Sequence, residues 1–206
     1  GRVSGAATWW EGYHRQPRRY PQVRAMRQST RTLTMLKQEA RLVDLYRDRL
    51  QNESLTGIVT DFTDHFVYLS LFDDGGGANG ISVVWRSDVT RIRWGGNERD
   101  SIATLVKASG AQPVAPKLQL DTVETMLRSV RAAFGYVNVM TERMDSGITF
   151  IGEIEELDAE TLVLQTYGTF LSRDRSHLML DIDEITRVDA DARYERSVHY
   201  LATMQG

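Results

Sequence analysis

The chain has no cysteine among its 206 residues. Disulfides and thiolate metal sites are therefore excluded, and cysteine usage says nothing about the redox compartment. Lysine is nearly as scarce: Lys37, Lys107 and Lys117 are the whole set, so arginine supplies almost all positive charge. Arginine's planar fork suits phosphate and aromatic contacts, although a genomic composition bias produces the same preference with no function attached. No apolar run is long enough to span a bilayer, and no charged-then-apolar opening resembles a signal peptide, so no membrane partner is expected; a cytoplasmic setting is the default expectation and not a deduction. A hydrophobic fraction of 41% and a charged fraction of 26% are ordinary for a globular protein.

The net charge of −3 conceals a polarised chain. Residues 1–31 hold Arg2, Arg15, Arg18, Arg19, Arg24, Arg27 and Arg31 against Glu11 alone, a surplus of +6 that leaves −9 for the remainder. The four prolines fall in two places, Pro17 and Pro21 near the start and Pro113 and Pro116 in the stretch after Ser109, which reads as a linker.

Between those breaks the chain repeats itself. GIVTDFTDHFVYLSL from Gly57 returns as GEIEELDAETLVLQT from Gly152; DVTRIRW from Asp88 returns as EITRVDA from Glu184; RDSIATL from Arg99 returns as ERSVHYL from Glu195. Matched blocks in the same order at a nearly constant offset imply a duplicated unit. Leu33, Leu36, Ala40, Val43, Tyr46 and Leu50 recur at three- and four-residue steps, predicting a helix from Ser29 with one buried stripe. In the second copy Val123, Leu127, Val130, Phe134, Val137 and Met144 form the stripe, and Asp121 with Glu124 makes a capping-box pattern. After each helix the period shortens to two, the mark of strands, as in Phe66, Tyr68 and Ser70 against Val67, Leu69 and Leu71. Each copy ends in a short closing helix. The expected organisation is an arm at 1–28, repeat one at 29–108, a linker at 109–120 and repeat two at 121–206. The fold class is α+β, mainly β, with a small, strongly bent five-stranded barrel in each repeat. Glycine at the bend is apt because it tolerates kinks and bulges.

At these residues the chain resembles the Sm-like family, nearest in rhythm to its bacterial RNA-chaperone branch. Repeat one carries Leu55, Gly57, Val59, Phe62 and Phe66-Val67-Tyr68-Leu69; repeat two carries Gly147, Gly152, Leu157-Asp158 and Leu162-Val163-Leu164. Val84-Trp85-Arg86-Ser87-Asp88-Val89-Thr90 is similar to the family's second motif. The resemblance implies two tandem Sm-like (SH3-type) barrels with flanking helices, a tendency to pair edge to edge, and RNA as a ligand class. The departures fall on the ligand positions. The family's RNA-facing aspartate is Thr63 in repeat one, although Asp158 keeps it in repeat two. Ser87 stands where the second motif has histidine, and repeat two offers the acidic Asp181-Ile182-Asp183.

The arm interleaves Trp9, Trp10, Tyr13, His14 and Tyr20 with Arg15, Arg18, Arg19 and Arg24. Rings stack on unpaired bases and arginines neutralise phosphates, but the same tryptophans suit docking on the protein body and the arginines suit its acidic units. With His65 and Arg86 of repeat one, Trp9, Trp10, Arg15, Arg18, Arg19 and Arg24 are the candidate partner-binding or nucleic-acid-binding residues. DDGGGANG from Asp73 lacks the Gly-Lys-Ser/Thr end of a P-loop and leads into a strand, so it reads as a hairpin. His14, His65, His177 and His199 have no metal-ligand spacing, and no acidic pair is matched to a base, nucleophile or oxyanion donor. No cofactor and no catalysis are expected. The leading expectation is an interaction or assembly module that binds protein, its own copies included. RNA or single-stranded nucleic acid is the alternative, and an enzyme of unrecognised type the third.

Overall fold

The computed structural model describes residues 27–171 and 174–204. Helix α1 (Arg27–Gln38) is followed by β1 (Leu42–Tyr46), β2 (Leu55–Phe62), β3 (Phe66–Phe72), β4 (Ala78–Trp85), β5 (Arg91–Trp94) and helix α2 (Asn97–Ser109). The second half repeats this as α3 (Val123–Phe134), β6 (Val137–Met140), β7 (Thr149–Leu157), β8 (Thr161–Thr166), β9 (His177–Asp181), β10 (Arg187–Ala190) and α4 (Arg193–Thr203). A single 3-10 turn precedes the last strand of each half, at Arg86–Asp88 and Ile182–Glu184. The class is α+β, mainly β.

The ten strands form one open antiparallel sheet in the order β5-β1-β2-β3-β4-β10-β6-β7-β8-β9. Each half has the same internal order, its last strand beside its first. The register repeats too: Gly57 lies opposite Leu71 and Gly152 opposite Thr166, and each pairing slips by a residue shortly afterwards, between Val59 and Asp61 and between Ile154 and Glu156. A bulge at the same place in both halves bends β2 and β7 alike.

Both first helices end sooner than their apolar spacing suggests. Ala40 turns into the left-handed region (φ 46) two residues after α1, so Val43 and Tyr46 belong to β1 and Leu50 to the following turn. Gly135, φ 82, stops α3, leaving Val137 in β6 and Met144 exposed in a turn. The stripes ran on because the next strand buries its residues against the same core, at spacings that imitate a helix. The capping box of α3 is made by Thr122 and Thr125, one residue beyond the expected Asp121 and Glu124, with each backbone N–H donating to the other's hydroxyl at 3.1 Å.

The two larger of three buried clusters lie on opposite faces of the sheet. Leu33 and Leu36 of α1 pack with Val43, Leu45, Leu55, Val59, Val67, Leu69 and Val84. Phe66, Tyr68, Ile81 and Val83, on the other face of the same strands, join Met126, Leu127 and Val130 of α3 and the interior of the second half. Strand β3 is buried at every residue, since it has a core on each side. The segment after α2 is packed as well as connecting. Leu118 and Leu120 are buried, and its carbonyls accept from hydroxyls of the first half: Ser70 donates to Val114 at 2.5 Å, Tyr68 to Pro116 at 3.0 Å and Thr63 to Leu120 at 3.3 Å.

Candidate interaction edges

The two halves are joined by strand addition. β10 pairs with β4, with Ile81 opposite Ala190, Ser82 opposite Asp189, Val83 opposite Val188 and Val84 opposite Arg187. Val83 and Val188 are each 1% exposed, so the seam has a dry centre. Charged pairs flank it. Arg47 donates from both terminal nitrogens to the two oxygens of Glu142, the side chains being 2% and 0% exposed. Burial alone would raise the Glu142 carboxyl; the hydrogen bonds and charge of Arg47, helped by Thr186, hold it below the ordinary glutamate value. Arg143 grips Asp88 with bonds of 2.8 and 3.1 Å, although burial still raises that aspartate. Trp85 Nε1 donates to the Ile185 carbonyl at 2.8 Å.

The matched Thr-Arg of the sequence has a mechanical role. The Thr90 hydroxyl lies 3.0 Å from the Tyr46 carbonyl and accepts the Asp48 N–H at 3.1 Å; Thr186 repeats this with Met140 and Glu142, both at 3.1 Å. Each threonine ties the end of the last strand to the end of the first. Asp48, the counterpart of Glu142, is held instead by Arg91 of its own half at 2.9 and 2.8 Å, and the bonds from Arg91 and then Thr90 lower its carboxyl to about 2.

Among the described residues β5 has β1 as its one neighbour and β9 has β8. These are the strands corresponding to β10 and β4, so the strands that meet at the seam have their counterparts at the two outer edges of the described sheet. Met179 on β9 is 74% exposed and Trp94 on β5 40%.

The candidate residues of the arm, Trp9, Trp10, Arg15, Arg18, Arg19 and Arg24, lie outside the described residues. His65 and Arg86 are brought to one corner, where the Arg86 N–H donates to the His65 carbonyl at 2.7 Å. His65 is exposed, whereas the Arg86 side chain is 10% exposed and turned inward, donating to the Thr63 carbonyl at 3.1 Å and the Thr30 hydroxyl at 2.6 Å. The glycine-rich stretch is the β3–β4 hairpin, closed by Asp73, whose carboxylate accepts from Gly75 at 3.0 Å and Gly77 at 2.8 Å. No group of three histidines or carboxylates among the described residues is placed to hold a metal ion, and no described helix is long and apolar enough to cross a membrane.

Two clusters were not evident from either half read singly. Tyr167 donates to Glu153 at 3.0 Å and lies 3.0 Å from His199 Nδ1, while the His199 ring stacks on Tyr136 with centroids 4.7 Å apart. Burial raises both tyrosines. Their counterparts in the first half are Phe72, Ile58, Ala103 and Leu42, so setting one copy against the other is the signal that exposes them. The second cluster ties each closing helix to the sheet. In the first half Arg99 donates to the buried Asp44 and to the Gly95 carbonyl at 2.6 Å. In the second the acid has moved to the helix: Asn138 donates to Glu195 at 2.7 Å, and the Ala192 N–H to its other oxygen at 3.0 Å.

Burial, and then the charge of Asp189, raise Glu195 from 4.5 to about 7. The raised value favours the neutral acid in the folded state. Its contribution to stability is complete below the unfolded value of 4.5 and is lost as pH climbs through about 7. The loss is about 3 kcal/mol. Glu195→Gln should abolish that slope: urea titrations should find the variant gaining on wild type by about 2–3 kcal/mol between about pH 5 and about pH 8. Parallel pH profiles would assign the slope to other groups.

Comparison of the chain with family models, with curated proteins and with solved structures gives no match.

Proposed function

We propose that this chain is a non-catalytic interaction and assembly module, built from two tandem Sm-like five-stranded units and binding protein through its open sheet edges. The observation that carries this reading is the seam itself: the chain already joins two units by adding strand β10 to edge β4, and among the described residues the counterparts of both strands are the outer strands of the sheet. An edge strand presents unpaired N–H and C=O groups and is adhesive unless covered or charged. The identical strand order of the halves, the matched bulges and the helix in front of each first strand are what the Sm-like resemblance leads one to expect. The carboxylates at the seam are occupied by Arg47, Arg143 and Arg187, as suits a joint more than a reaction centre.

A single edge substitution tests the reading. Met179→Lys puts a charge on an exposed edge position and leaves both cores untouched. Light scattering across a wide concentration range, together with binding assays against protein partners, should find association in wild type and its loss in the variant. A wild-type chain that stays monomeric and binds no protein sinks the proposal. Salt-sensitive binding of single-stranded RNA by that monomer, indifferent to Met179→Lys, would transfer the function to nucleic acid.

A further inference from the structure

We propose that the outer face of α4 is a second partner site, separate from the sheet edges, and that it takes an acidic amphipathic helix of another protein. Glu195, Val198 and Ala202 lie on the inner side of α4, against the sheet and the Tyr136–Tyr167 cluster. Arg193, Arg196 and Tyr200, with Met204 just past the helix end, stand on the other side at the three- and four-residue steps of one helical face. All four are exposed. Phe170, in the β8–β9 connection, lies alongside, its ring centroid 4.7 Å from that of Tyr194. A shallow groove runs between Phe170 and Arg193, Arg196, Ser197, Tyr200 and Leu201.

This face differs from the rest of the surface. Of the ten exposed large hydrophobic residues among those described, Phe170, Leu171, Tyr194, Tyr200 and Met204 belong to it, and Leu171 is 97% exposed. Such a concentration, rimmed by charge, marks an interaction surface. The first half has no equivalent. Arg193, Arg196, Tyr200 and Met204 correspond to Asn97, Asp100, Thr104 and Ala108 of α2, and a glycine-rich hairpin stands where the second half has Phe170 and Leu171. Two units on one plan need no such change to keep their fold. The difference therefore serves a partner of the second half alone.

Charge decides the occupant. No described residue pairs with the Arg193 guanidinium, and Arg196 gives one nitrogen to the Asp191 carbonyl. Carboxylates one turn apart on a facing helix meet both arginines, while apolar side chains between them fill the groove beside Phe170 and Tyr200. The N-terminal arm is excluded by its own sign, since it sets its arginines against Glu11 alone. A continuous polyanion fits less well than a helix, because the positive charge is local: Asp191 lies 3.7 Å from Arg196, and Glu153 lies 3.7 Å from Arg175. Two exposed arginines give a modest, salt-sensitive attraction, and the apolar groove supplies the rest.

Fluorescence anisotropy tests the site on the full chain. The probe is a lactam-stapled helical peptide of about four turns with glutamate and leucine along one face; its twin has glutamine for every glutamate. The acidic peptide should bind about tenfold more tightly than its twin. Arg193→Glu with Arg196→Glu should erase that preference, and a lysine version of the peptide should bind this variant better than wild type. Tyr200→Ser should weaken the acidic peptide about tenfold. Glutamate suits the first turn of a helix, so the far-ultraviolet circular dichroism of the arginine variant should match that of wild type. Met179→Lys should leave peptide binding unchanged; a loss there would move the peptide to the sheet edge and overturn the proposal. Equal affinity for the two peptides, or a preference that survives the arginine variant, overturns it as well. So does binding of phosphatidylserine vesicles or single-stranded RNA that depends on these arginines while the peptide stays unbound. Self-association dissolved by Tyr200→Ser would make the occupant a second copy and has the same consequence. The edge reading fails on Met179→Lys and this one on the arginines, so each can fall alone.

Discussion

Replacing Arg47 by alanine should destabilise the folded chain by about 3–5 kcal/mol, the cost of leaving a buried charge without its partner. Glu142 is the charge left behind. Its side chain is wholly buried, both oxygens are bonded by the guanidinium, and what would remain is the Thr186 hydroxyl at 2.7 Å. Water has no ready access to that position, because the pair sits where the first half meets the second. The ion pair itself is weak evidence of net stabilisation, since taking both charges out of water costs about as much as their attraction returns. A second variant separates the two effects. Arg47→Met with Glu142→Leu removes both charges and keeps apolar volume, and its unfolding free energy should lie within about 2 kcal/mol of wild type. Urea denaturation followed by far-ultraviolet circular dichroism measures both. If the double variant falls as far as the single one, the pair stabilises the seam in its own right.

That pair also shows what could be read from the residues and what could not. Arg47 and Glu142 are 95 residues apart and neither belongs to a local pattern, so nothing in either half announces them. They become visible when the copies are compared, because Arg47 stands where the second half has Thr141, and Glu142 where the first has Asp48. Differences between copies mark the places where the copies meet. The architecture was more legible. The repeated blocks placed the strands, and Gly57 with Gly152 marked equivalent points of β2 and β7. The helix ends were not legible, because Ala40 takes a left-handed turn that glycine ordinarily announces, and because Val43 continues the stripe from inside a strand. The stretch around Pro113 and Pro116 read as a linker on its breakers; Leu118 and Leu120 bury themselves because the strand face beneath them had no other cover. Of the candidate site residues, His65 and Arg86 fall together at one corner. The exposed edge residue Met179 was not singled out, since an edge is a property of pairing and not of composition.

The matched glycines carry the other large prediction. Gly57→Ala and Gly152→Ala should each cost about 2–4 kcal/mol, whereas Gly147→Ala should change stability by less than about 0.5 kcal/mol. A methyl on Gly57 would stand 2.3 Å from the Ser70 carbonyl oxygen and 3.2 Å from the Leu71 Cα; on Gly152 it would stand 2.3 Å from the Gln165 oxygen and 2.9 Å from the Thr166 Cα. All of these are backbone atoms of the paired strand, so relief requires prising β2 from β3 or β7 from β8. Neither glycine has a positive φ, which makes the requirement one of close approach and not of dihedral freedom. Gly147 belongs to the same motif rhythm but lies in an exposed turn, where the nearest atom is an Asp145 carboxylate oxygen 3.4 Å away. Of the two costly positions, Gly57 should prove the worse. Its partner strand β3 is buried along its whole length between two cores, so a shift there disturbs α1 on one face and α3 on the other. β8 has buried residues only at Leu162 and Leu164 and can yield outward. Equal losses at Gly57 and Gly152 would mean that the clash stays local to each ladder; a larger loss at Gly57 would mean that the first half's sheet carries the packing of both.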